Sequence, residues 1–138
     1  MSLEVRIGLT LLRVAVASVF VVHGIARMVN GTVGGFGQFL GAQGFPLGVV
    51  IAWTLTLVEV AGGVAFALGF FVRPLCAWYT AQILTGIALV HWSQGWFVVG
   101  AGRGGMEYSV LIVACLAAVF LADRAAFRAG GDAVGARR

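Results

Sequence analysis

Apolar residues fall into four long runs with sharp breaks between them. The runs are 7–29, 47–72, 74–92 and 106–122. A bilayer span takes about 20 residues of helix, so each run is long enough, or nearly so, to cross a membrane. The breaks differ in character. Residues 28–46 are rich in glycine and phenylalanine, Arg73-Pro74 is a tight link, and residues 93–105 carry tryptophan and glycine. Short links between long apolar runs predict an up-down-up-down arrangement. The expected fold is all-α: an integral-membrane four-helix bundle over residues 1–122 with two glycine- and aromatic-rich external loops. A basic cytoplasmic tail is expected over 123–138. Arg6 resembles the charged start of a signal peptide. However, Arg13 interrupts the apolar stretch, and His23, Gly24 and Arg27 stand where a small-residue cleavage site would be, so the first helix is expected to stay.

Composition sharpens this picture. Hydrophobic residues make up 61% of the 138 and charged residues only 10%, against roughly 25% charged in ordinary soluble domains. That argues against a soluble enzyme, a disordered chain and a nucleic-acid-binding module. The formal charge is +4, and all nine basic residues are arginine, most of them at the ends of apolar runs. Six of the nine (Arg6, Arg73, Arg124, Arg128, Arg137 and Arg138) fall on one side of a four-span arrangement. Arg27 and Arg103 fall on the other. The positive-inside rule then puts both termini in the cytoplasm and both glycine-rich loops outside. Cys76 and Cys115 lie inside apolar runs with no CxxC, and read as small buried hydrophobes.

Charges inside spans cost about 2.5 to 3.5 kcal/mol each, so their positions carry the chemistry. Arg6, Arg13, Phe20 and Arg27 recur every seven residues, with His23 and Gly24 beside them. One face of the first helix is therefore polar. A second stripe joins Glu59, Gly62, Gly63, Phe66, Gly69 and Arg73, with glycines that admit a close neighbour. Glu59 lies roughly 18 Å from either end of its run. By the same arithmetic Arg13 is its expected ion-pair partner, with His23 the alternative. A purely structural pair explains that burial equally well.

His91 ends the third run and Glu107 starts the fourth, so they are expected to meet His23 and Arg27 at one outer level. Each has a plainer role. Arg6 and Arg27 can snorkel to an interface, Glu107 can complement a helix dipole, and the loop aromatics can form an interfacial belt. The same aromatics can instead cap a pocket for a flat apolar ligand. Two isolated histidines without ligand spacing argue against metal or haem.

These residues resemble the DoxX family of small four-helix bacterial membrane proteins. The pieces are Phe20-Val-Val-His23-Gly24 with Arg27, the stretch GAQGFP ending at Pro46, and Glu59-x-x-Gly62-Gly63 with Gly69 and Arg73-Pro74. The last are His91-x-x-x-Gly95-Trp96-Phe97 and Gly104-Gly105-Met106-Glu107-Tyr108. The resemblance covers roughly residues 8–122, and Arg27 stands where a lysine is more usual. It implies a component of a redox or thiol-stress system in the inner membrane, similar to the small subunit of thiosulfate:quinone oxidoreductase. His23, His91 and Glu107 would then do hydrogen-bonding or proton work, since imidazole titrates near neutral pH. Arg27, Phe36, Phe45, Trp96 and Tyr108 would line the ligand pocket, and a quinone is the cofactor this implies. The partners would be the lipid bilayer and other membrane redox subunits, with homo-oligomers left open and nucleic acid excluded. Two other readings stand beside it: a non-catalytic anchor for a larger complex, and a small proton-coupled transporter using Glu59 and Arg13.

Overall fold

The computed structural model describes residues 2–100 and 102–135, with 124–135 given as helix backbone. Arg137, Arg138 and the side chains of Arg124 and Arg128 therefore lie outside the described residues. All regular structure among the described residues is helical. α1 spans Leu3–Val29, α2 Val33–Ala42 and α3 Gly48–Leu57. α3 continues through a π-helical turn, Val58–Gly62, into α4, Gly63–Leu68. α5 spans Val72–Gly86 and continues through a second π turn, Ile87–His91, and a short 3-10 turn, Trp92–Gln94. α6 spans Glu107–Gly135, so it runs past the expected tail boundary at Ala122. The chain divides into two compact units, residues 14–70 and residues 1–13 with 71–138; α1 contributes to both.

In the unit 14–70 the expected first loop is largely a helix. Residues 33–42 carry apolar positions at Val33, Phe36, Gly37 and Leu40, which is helical spacing. Val33, Leu40 and Ala52 form a core with Met28, Phe36, Phe45, Ile51 and Leu55 packed against it. Two of the glycines that suggested a loop, Gly37 and Gly48, are packing devices. A Cβ on Gly37 would lie 2.6 Å from Val49 Cα, and a Cβ on Gly48 would collide with the Gly37 carbonyl. α2 and α3 can therefore approach backbone to backbone. The ends of α2 are set by Gly31 (φ +65°) and Gly44 (φ +89°). At the first, the Thr32 N–H donates to Arg27 O at 3.0 Å; at the second, the Phe45 N–H donates to Leu40 O at 3.1 Å. Each closes a helix by a left-handed residue that only glycine adopts without strain.

In the other unit α5 packs against α6. Val72, Cys76, Tyr79, Ile112, Leu116 and Val119 are buried. Arg73 covers the Phe120 ring, its guanidinium carbon 5.1 Å from the centroid. Cys76 and Cys115 are free thiols.

The outward faces are as apolar as the cores. Leu11, Val22, Ile25, Val50, Leu57, Leu68, Leu84, Leu111 and Leu121 are all exposed. Two helical stretches are long and apolar enough to cross a membrane, Leu3–Val29 and Gly48–Leu68.

Candidate functional site

Glycines fix the register of α1 against α3 and α4, and the register places the site. A Cβ on Gly24 would lie 3.0 Å from Thr56 O and 3.2 Å from Glu59 Cβ. A Cβ on Gly63 would lie 2.6 Å from Val21 Cγ2. α1 therefore runs antiparallel to its neighbour with Gly24 opposite Glu59. Helical side chains lean towards the helix N-terminus. Arg27, one turn beyond Gly24, thus reaches back over Glu59.

The contact is an ion pair. Arg27 Nη2 donates to Glu59 Oε1 at 2.9 Å, and Nη1 lies 2.9 Å from Oε2. Nη1 also donates to Thr56 Oγ1 at 3.0 Å, and that hydroxyl donates in turn to Ala52 O at 2.7 Å. The guanidinium stacks over Phe36, 4.8 Å from the ring centroid. Glu59 is 2% exposed and Arg27 20%. The carboxylate sits within the π turn Val58–Gly62, a departure from α geometry that recurs at functional sites. Arg13 was the expected partner, but the residue that meets Glu59 in this pair is Arg27. Counting depth from the ends of each run missed it, because the glycine contacts shift the register. Arg13 instead lines a cleft of the other unit with Arg6, Thr10 and Asp123.

Beside the pair lies an open cleft of about 260 Å³, lined by Val22, His23, Ala26, Arg27, Asn30 and Thr32. His23 Nδ1 lies 2.9 Å from the Val19 carbonyl. A carbonyl only accepts, so Nδ1 carries the proton and Nε2 remains as the ring's acceptor in the neutral form. The cleft thus offers an imidazole acceptor, an arginine whose charge is already balanced, and an apolar wall. That arrangement suits a small, neutral, partly polar molecule better than an anion. Phe36 holds Arg27, and Phe45 packs into the α2–α3 core rather than into the cleft.

His91 and Glu107 belong to the other unit, where both brace one loop. His91 Nδ1 lies 2.6 Å from Gly104 O, which again places the proton on Nδ1. Glu107 Oε1 accepts the Val98 N–H at 2.9 Å, and the Glu107 N–H donates to Trp96 O at 3.0 Å. Gly105 passes so close to Trp96 that a Cβ would lie 2.5 Å from its carbonyl carbon. Trp96 and Tyr108 are exposed. Thr56, Asn30 and Thr32 are the polar residues that sequence reasoning missed. Thr56 had a legible signal: it lies three residues before Glu59, on the same helix face.

Comparison with known proteins supports the resemblance over most of this region. The profile of the DoxX family matches residues 8–92, which takes in His23, Arg27, Glu59 and His91 but stops short of Glu107 and Tyr108. A similar protein is the inner membrane protein YphA of Escherichia coli (strain K12), 29% identical over 85 residues. The match covers 60% of this chain and 58% of that protein. No solved structure matches.

Proposed function

Since this chain belongs to the DoxX family, we propose that it is a multi-pass protein of a bacterial plasma membrane that holds a small, neutral, quinone-like ligand beside His23. Membrane residence is supported by the two span-length helices, by the apolar outward faces and by the inner-membrane relative. α5 with its extension to Gln94, and α6, supply the third and fourth spans in this reading. The observation that carries the ligand is the cleft itself. It puts an imidazole with a defined tautomer next to an arginine already neutralised by Glu59. Imidazole Nε2 can accept the O–H of a quinol and take its proton as the quinol is oxidised, while a partner redox subunit takes the electrons.

A second reading has its own observation. Arg27, Glu59, His91 and Glu107 are each engaged within the fold, as in a subunit whose polar residues serve assembly. One experiment separates the two. Full-length protein is purified in mild detergent, loaded with a short-chain benzoquinol under reducing conditions, and its retained ligand is extracted and weighed by mass spectrometry. Under the ligand reading His23→Ala lowers retention about tenfold, the loss of one hydrogen bond to a ligand, and leaves membrane partitioning unchanged. Retention that does not depend on His23, together with a stoichiometric protein partner, would favour the assembly reading.

A further inference from the structure

We infer that the cleft lined by α1, α5 and α6 in the unit 1–13 with 71–138 holds the phosphate and amine of a phospholipid headgroup. The inference rests on the membrane reading above, but not on the ligand beside His23. The cleft has a volume of about 280 Å³ and is lined by Arg6, Leu9, Thr10, Arg13, Val72, Val119, Ala122 and Asp123. Arg6 and Arg13 stand two turns apart on one face of α1, about 10 Å along the axis at 1.5 Å per residue. Thr10 lies between them on that face. Leu9, Val72, Val119 and Ala122 form the apolar wall, two of them buried. The site is thus amphipathic, with a cationic side against hydrocarbon.

Three observations point to a lipid. The first is placement. Arg6 immediately precedes the run 7–29, Val72 ends the run 47–72, and Asp123 immediately follows the run 106–122. All three mark the end of a span, where headgroups lie. The second is the state of Arg13. Its Nε is buried and makes no hydrogen bond, and among the described residues neither arginine is ion-paired with Asp123. A guanidinium already stripped of part of its water loses less on binding an anion than a fully hydrated one, and its outer nitrogens match a phosphate in fork geometry. The third is charge pattern. Two guanidiniums and one carboxylate favour a ligand with a phosphate at one end and an ammonium at the other. Phosphatidylethanolamine has both, whereas phosphatidylglycerol would set its anionic group near Asp123 without an amine to offset the repulsion.

The test is native mass spectrometry of the full chain in detergent, with phosphatidylethanolamine and phosphatidylglycerol of matched acyl chains, and with millimolar inorganic phosphate as competitor. Wild-type protein should retain one lipid, with phosphatidylethanolamine preferred, and phosphate should not displace it. Arg6→Gln with Arg13→Gln should lower retention of both lipids about tenfold or more, as expected for lost charge-assisted hydrogen bonds. Arg103→Gln, in an exposed loop, should change nothing. Asp123→Asn should keep the lipid and move the preference to phosphatidylglycerol, a gain that unfolding cannot produce. The inference is overturned if the double arginine variant retains lipid as the wild type does, if Asp123→Asn leaves the preference unmoved, or if Arg103→Gln has an equal effect. Displacement of the lipid by phosphate would assign the cleft to a free anion instead. Wild-type protein that partitions with membranes yet shows no headgroup preference overturns this inference and leaves the membrane reading standing.

Discussion

Arg27 and Glu59 set the chemistry of the unit 14–70 at the residue scale. Glu59 is almost fully buried, and Arg27 balances its charge. Breaking such a pair by removing one partner typically costs about 3 to 5 kcal/mol. Arg27→Met should lower the thermal stability of detergent-solubilised protein by that order, and Glu59→Met added to it should restore a large part of the loss. Losses that simply add would contradict the pairing. Arg27→Lys should be milder, because an ammonium keeps the charge but cannot reach Thr56 and Glu59 together while lying flat on Phe36. The charges of this pair were legible in the sequence, as was the polar face of α1. The pairing was not, because a stripe every seven residues gives which side chains share a face but not which level of the neighbour they meet. That level is set by Gly24 and Gly63, whose missing side chains let the helices slide until Val60 and Val21 occupy the space.

α2 carries the same lesson at the scale of an element. Five glycines between positions 31 and 41 read as a loop because glycine is a poor helix former, by about 1 kcal/mol per residue against alanine. Tertiary packing overrides that preference here. The glycines then separate into two kinds. A Cβ on Gly37 would press on the Val49 backbone, 2.6 Å from Cα and 2.9 Å from N. At Gly35 and Gly41 a Cβ would meet nothing within 4 Å. Gly37→Ala should therefore destabilise by about 1 to 3 kcal/mol, as overpacking does, whereas Gly35→Ala and Gly41→Ala should stabilise by about 0.5 to 1 kcal/mol each. Thermal unfolding of the three variants in one detergent checks the sign of each. A uniform gain across all three would mean that α2 and α3 do not touch at Gly37. The long helices were legible to within a few residues, apart from the C-terminal end of α6, which continues to Gly135 past the expected boundary at Ala122, since their apolar runs and the turn at Arg73-Pro74 are strong signals. The two π turns were not, because an added residue per turn leaves no mark in the hydropathy pattern. One of them holds Glu59 and the other ends at His91.

For the whole molecule, the exposed leucines, valines and isoleucines matter more than any single site. Leu11, Val22, Leu57, Leu68, Leu111 and Leu121 are solvent-facing in the isolated chain, an arrangement that is unfavourable in water and favourable in hydrocarbon. Helix content follows from composition and run length, and the family from the ordered motifs around His23, Glu59 and His91. His23 and Arg27 belong to the unit 14–70, and His91 and Glu107 to the other, where local hydrogen bonds bind them to the loop 93–106. Everything proposed for the cleft beside His23, and for the headgroup cleft, depends on the chain crossing the membrane four times with both termini inside. The measurement that tests this most directly is a pair of reporter fusions, one at Gly100 and one at Ala129, each active on only one side of the membrane. The account predicts an external signal at Gly100 and a cytoplasmic signal at Ala129. Both reporters on the same side would contradict it.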